Sequence, residues 1–165
     1  MNAPAAFRIG VLTLSDKGAQ GQRADESGPL VGEMLAGVGK VTHVAILPDD
    51  IASIVSLLTD WSDREHLDLI VTTGGTGLTP RDVTPQATLQ VLDYEIPGMA
   101  EVMRMQSLSK TPHAMLSRAV VGVRRGTMII NLPGSPKGAR ENLQAVLPAL
   151  PHALAKLAGD PSDCA

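Results

Sequence analysis

The chain has 165 residues, 44% apolar and 19% charged, which excludes a disordered polymer and favours one folded domain large enough to bury a core. A net charge of −3 without a dense Lys/Arg run, together with only 2% aromatic residues, argues against a nucleic-acid binder or a protein held on an anionic membrane. The single cysteine, Cys164, allows no internal disulfide, the four scattered histidines lack zinc spacing, and no apolar run reaches the ~18 residues of a membrane span, so a cytoplasmic enzyme is expected.

Apolar runs alternate with helical periodicity along most of the chain. Phe7 to Leu14 reads as a buried strand ending in Ser15-Asp16, followed by a Gly/Gln/Arg-rich, mobile stretch from Lys17 to Asp25. Ser27-Gly-Pro opens a helix to about Ala36, with Pro29 where a first-turn proline is tolerated. Val41 to Leu47 is a second strand. Pro48-Asp49-Asp50 then caps a helix in which Ile51, Ile54, Val55, Leu58 and Trp61 form one apolar stripe. Leu67 to Thr73 is a third strand and runs into a glycine loop. Thr84-Pro85 reads as cap and first turn of a helix to about Asp93. Pro97-Gly98 breaks the chain before a helix from Met99 to Leu108. Ala119 to Val123 and Thr127 to Leu132 are two more strands joined tightly, and a second glycine loop covers 133–138. Helical spacing from Leu143 to Leu157 then runs through Pro148 and Pro151, which predicts two short, bent helices, and a frayed tail from 159 to 165.

This alternation predicts a three-layer αβα fold, with a mostly parallel central sheet and helices on both faces. Ligands bind such sheets beyond the carboxyl ends of the strands, where Ser15, Asp49, the Gly74 loop and the Pro133 loop all emerge.

The most informative stretch is Thr72 to Pro85, TTGGTGLTPRDVTP. Gly74, Gly75 and Gly77 let the backbone approach a ligand, and consecutive N–H groups in such a turn suit anions. Thr76 adds a hydroxyl, Arg81 offers bidentate contacts to phosphate, and Asp82 offers a hard oxygen to a divalent metal. Standard phosphate motifs fail. Gly39-Lys40 lacks the P-loop glycine and hydroxyl, and Pro80 stands where a dinucleotide fingerprint requires its third glycine. No nucleophile elbow is present, so covalent catalysis has little backing. A metal-assisted displacement remains, with Asp49 and Asp82 as catalytic carboxylates and Mg²⁺ ligands. Asp50 competes with Asp49 for the helix cap, whereas Asp82 is free of that duty if Thr84 caps its helix.

Pro48-Asp49, TTGGTG (72–77), RDVTP (81–85), PGMAE (97–101), the 107–118 stretch ending AMLSR, and NLPGSPKG (131–138) together resemble the molybdopterin adenylyltransferases and the equivalent G domains of gephyrin and the plant molybdenum-cofactor enzymes. The resemblance runs from about Arg8 to Leu157. It implies one molybdopterin-binding domain over 1–165, with a core of about 7–158, that adenylylates molybdopterin from Mg·ATP and releases pyrophosphate. Asp49 and Asp82 match the family's two essential aspartates. Ser15, Gly74, Gly75, Thr76, Gly77, Arg81, Ser107, Ser117, Asn131, Pro133, Gly134, Ser135 and Lys137 fall at positions expected to bind substrate. Local roles stay open for Ser117-Arg118, as a turn, and for Asn131, as a tie between strands. The resemblance further implies a homotrimer and hand-off to a molybdenum insertase. Two departures stand out: Asp50 and Gln86 occupy positions where many relatives have Glu. The alternatives are a MoaB-like protein and a non-catalytic pterin-binding or scaffolding module; retention of both Asp49 and Asp82 argues for turnover.

Overall fold

The computed structural model describes residues 6–164. Six strands form one sheet: β1 (Phe7–Leu14), β2 (Gly39–Leu47), β3 (Leu69–Thr73), β4 (Tyr94–Glu95), β5 (Val121–Arg124) and β6 (Thr127–Leu132). Their spatial order is β2-β1-β3-β6-β5-β4. The pairs β1–β2, β1–β3 and β3–β6 are parallel, while β5 runs antiparallel to both of its neighbours. The mostly parallel sheet agrees with the sequence reading. The β5–β6 hairpin turns on Arg125 and Gly126, both at positive φ, as a tight two-residue connection requires.

Side-chain alternation along the strands supplies both faces. Ile9, Val11, Leu69, Val71, Met128 and Ile130 pack on one side with helices α2 (Ser27–Met34), α5 (Pro97–Leu108), α6 (Pro136–Val146) and α7 (Leu150–Leu157). Leu12, Leu14, Ile70 and Ile129 pack on the other with α3 (Ile51–Asp63) and α4 (Thr84–Val91). These strands are apolar on both faces because both are covered. Ile54, Leu58 and Trp61 carry the α3 stripe into the second core, with Ile51 and Val55 half-buried beside it.

Several expected boundaries move. The segment after β1 is not wholly irregular: Asp16–Ala19 forms a one-turn helix, α1, capped by Ser15 Oγ accepting from Gly18 N. Pro97 does not precede α5 but occupies its first turn, where its missing N–H costs nothing. Strand β4 was not expected; it is two exposed residues held by the sheet edge rather than by its own pattern. The prolines at 148 and 151 divide the last helical segment, with a 3₁₀ turn at Leu147–Ala149 between α6 and α7.

Candidate active site

The chain leaves β1 for β2 on one side and returns through α3 to β3 on the other. The connections therefore part between the carboxyl ends of β1 and β3, where open α/β sheets form a crevice. A cleft of about 630 Å³ lies there, lined by the end of β1, residues 23–27, Asp49, Thr73-Gly74-Gly75, Asp82 and Gly134-Ser135-Pro136.

Its floor is held by hydroxyls. Thr73 Oγ1 donates to Thr13 Oγ1 at 3.3 Å, and Thr13 Oγ1 donates to Asp25 Oδ2 at 2.7 Å. Asp25 Oδ1 also accepts from Gly28 N at 2.9 Å, so it pins the start of α2 to the cleft wall. Ser27 Oγ donates to the Gly134 carbonyl at 2.7 Å, tying that wall to the second glycine loop.

The two glycine loops meet backbone to backbone. A Cβ on Gly134 would lie 3.2 Å from Gly74 Cα. Gly74 and Gly75 have φ of +93° and +69°, which side chains disfavour. A Cβ on Gly74 would strike the Leu14 carbonyl, and one on Gly75 would strike Thr84 Oγ1 with Asp49 Oδ1 just beyond. The loop is glycine-rich because the protein itself crowds it, as well as for any ligand.

Asp49 follows β2 and is half-buried. Its N–H donates to Asp16 Oδ1 at 3.0 Å, and its Oδ2 accepts from Asp16 N at 3.2 Å. Burial holds its carboxyl above the ordinary carboxylate range, the Asp16 bond opposes that rise, and the charges of Asp16 and Asp82 add to it. Asp50 takes the helix cap, accepting from Ser53 N at 2.9 Å, so Asp49 is released to the cleft.

Asp82 borders the same cleft from the β3–α4 loop. Its Oδ2 accepts from Thr79 N at 2.9 Å and from Thr79 Oγ1 at 2.7 Å, closing a turn. Thr84 is not the cap of α4, contrary to the sequence reading: Val83 holds that position without a side-chain bond. Thr84 is buried, and its hydroxyl donates to the Gly74 carbonyl at 2.9 Å, since the carbonyl of a tight glycine turn needs a donor out of water's reach.

Comparison with known proteins identifies the family. Residues 10–152 match the family described as "Probable molybdopterin binding domain". The chain belongs to that family. It is 43% identical to molybdopterin adenylyltransferase of Helicobacter pylori strain J99, covering 93% of this chain and 89% of that one. It is 44% identical to gephyrin of Dictyostelium discoideum over 93% of its own length, but spans only 23% of that larger protein. Among solved structures, the molybdopterin biosynthesis enzyme MoaB of Thermus thermophilus superposes with a TM-score of 0.88 and 56% identity, covering 95% of this chain and 99% of the other.

Of the residues expected to serve a molybdopterin-binding site, the cleft gathers Ser15, Asp49, Gly74, Gly75, Asp82, Gly134 and Ser135. Others stand apart from its lining. Asn131 is fully buried; it donates to Thr72 and Thr88 hydroxyls at 3.1 and 3.0 Å and accepts from Val120 N at 3.2 Å, which makes it a tie between β6, β3 and α4. Ser107 accepts from Asn142 Nδ2 at 3.3 Å in a separate hollow of about 260 Å³ shared with Lys110 and Glu141. Ser117 Oγ accepts from Ala119 N at 3.4 Å and ends a 3₁₀ turn, Pro112–Leu116. Thr76 is buried and Gly77 and Pro133 are half-buried, and none of the three lines the cleft. Lys137 is exposed in the first turn of α6, next to the lining residue Pro136.

Arg81 also departs from expectation. Its Nε and Nη2 donate to Asp16 Oδ2 and Oδ1 at 2.9 and 2.7 Å, a bidentate pair outside the cleft lining. That bond, and then the one Asp16 shares with the Asp49 backbone, holds the Asp16 carboxyl below its usual range. Asp16 thus joins the loops after β1, β2 and β3. Sequence reading passed over Asp16, Arg23, Asp25 and Ser27, although the polar run before the Gly28-Pro29 helix start was the available signal.

Proposed function

We infer that this chain is a molybdopterin adenylyltransferase of molybdenum-cofactor biosynthesis, joining AMP from ATP to molybdopterin and releasing pyrophosphate. The observation that carries the reading is the convergence of Asp49 and Asp82, from separate strand ends, on one cleft walled by two glycine loops and the amino terminus of α6. The adenylyltransferase relatives that the chain matches along most of their length support it.

Asp49 and Asp82 are the residues that would hold Mg²⁺. Among the described residues no three carboxylate, His or Cys side chains gather as a full protein cage, which suits a cation that takes one or two carboxylates and completes its shell with substrate phosphates and water. Bound there, it would neutralise charge on the transferring phosphoryl group. Arg23, the one cationic side chain lining the cleft among the described residues, and the α6 amino terminus with Ser135 at its cap suit the polyphosphate. Gly74 and Gly75 allow the close backbone approach.

The hydroxyls of the cleft serve structural bonds: Thr73 donates to Thr13 and Thr13 to Asp25, Ser15 and Ser135 accept from Gly18 N and Gly138 N, and Ser27 donates to Gly134. No His or Cys lines it among the described residues. In the proposed reaction the terminal phosphate of molybdopterin is the nucleophile. Its oxygen bonds to the α-phosphorus as the bond to the bridging oxygen breaks, and pyrophosphate leaves with that electron pair.

Incubating the purified protein with molybdopterin and Mg·ATP should yield the AMP adduct and stoichiometric pyrophosphate, with a chirally labelled α-phosphate inverted once. Tight pterin binding without pyrophosphate would establish the non-catalytic module instead. Retention of configuration, or a trapped adenylyl-protein, would mean a double displacement.

We further propose a homotrimer, supported by apolar side chains left exposed on α5 and the 3₁₀ turn after it: Val102, Met105, Leu108, Met115 and Leu116. Hand-off of product to a molybdenum insertase is proposed from the likeness to gephyrin. No described helix is long and apolar enough to cross a membrane; a cytoplasmic location is part of the proposal.

A further inference from the structure

Arg118 lies between the 3₁₀ turn and β5, half-buried and outside the cleft lining. Its main-chain N–H donates to the Thr76 carbonyl at 3.0 Å. Its guanidinium donates through Nε to the Gly77 carbonyl at 2.8 Å, through Nη2 to the Asp82 carbonyl at 2.6 Å, and through Nη1 to Gln86 Oε1 at 3.1 Å. One residue thus grips the loop at both ends of the exposed stretch 78–81 and reaches the first turns of α4.

Besides the Arg81–Asp16 pair, which holds its outer tip, Arg118 is what ties the two ends of this stretch to each other. Residues 78–81 are exposed, and Asp82 bonds within the loop only to Thr79. Carbonyls in such a segment would otherwise turn to water and the turn would sample several shapes. A planar guanidinium can satisfy two carbonyls at fixed spacing, whereas an ammonium acts as a point donor.

We infer that Arg118 is a positioning residue for the adenylyl transfer, acting through Asp82: it sets the Gly77–Asp82 loop so that the carboxylate stands at the cleft. The inference rests on the proposed reaction for its kinetic consequence, and on hydrogen bonds alone for its structural one.

The test pairs kinetics with amide hydrogen exchange of the ligand-free protein. Arg118→Lys keeps the charge but loses the fork. It should lower kcat between about tenfold and a hundredfold, the scale of a small misplacement of a reacting group, with a smaller change in KM for ATP. Exchange of the amides from Gly77 to Asp82 should quicken while that of α3 and α5 stays at the wild-type rate. Gln86→Glu, on an exposed helix position that does not threaten folding, gives Arg118 a charged partner and should slow exchange in the same loop. Wild-type kcat in Arg118→Lys, a rise in KM alone, or loop exchange unmoved by either substitution would overturn the inference. A wild-type protein that makes no adduct would sink the reaction itself, and the two exchange measurements would still decide the brace.

Discussion

Asp49 and Asp82 sit in different electrostatic settings, and replacing each by Asn should separate chemistry from folding. In Asp82→Asn the carboxamide oxygen can still accept from Thr79, so the turn should survive while turnover falls by the several kcal/mol of transition-state stabilisation that a metal ligand supplies. Asp49→Asn should also lose turnover, yet gain stability. A carboxyl whose folded pKa is raised stabilises the fold fully only below its unfolded value, and that contribution is lost as pH rises through the folded value. Since burial raises Asp49, ionising it at neutral pH weakens the fold. The Tm of Asp49→Asn should exceed wild type at neutral pH, with the gap closing in acid where Asp49 is protonated in both states. A variant less stable at neutral pH would show that the Asp16 bonds outweigh burial. Both aspartates were legible as cleft residues because Asp49 lies just past an apolar strand and Asp82 ends the glycine loop that follows another. Asp16 was not, because its importance comes from partners 33 and 65 positions away in sequence.

At the scale of the loop and its helix, Gly75→Val tests why the glycines are there. From the sequence, a side chain at this position would block the ligand's approach to the backbone. The structure adds that a Cβ at Gly75 strikes Thr84 Oγ1, which satisfies the buried Gly74 carbonyl, at a φ that a branched side chain disfavours. Gly75→Val should therefore lower Tm, by a loss of roughly 1–3 kcal/mol for the buried bond, as well as weaken binding of both substrates. Unchanged stability with lost binding would return the glycine to a purely ligand-facing role, and unchanged binding would make the loop structural only. The longer strands and helices were readable because their patterns repeat, whereas the exposed strand β4 and the cap of α4 depend on what packs against them.

Across the whole molecule, the apolar surface from α5 to Leu116 predicts the assembly. Met105 and Met115 are 70% and 63% exposed, and burying them between copies would remove apolar area from water. Met105→Lys with Met115→Lys should shift the protein from the proposed trimer to a monomer in light scattering after gel filtration, leaving the helical circular dichroism intact; a trimer that persists would place the interface elsewhere. Composition and periodicity by themselves determined the αβα layering, the parallel strands and the convergence of Asp49, Asp82 and both glycine loops. Those follow from apolar repeats and from the rule that strand ends in such sheets share one edge. Only the tertiary structure decided that Asn131 is a buried tie, that Arg81 is held by Asp16, and that Arg118 grips the Asp82 loop. Hydrogen-bond partners distant in sequence leave no local pattern; they exist only once the sheet has brought its loops together.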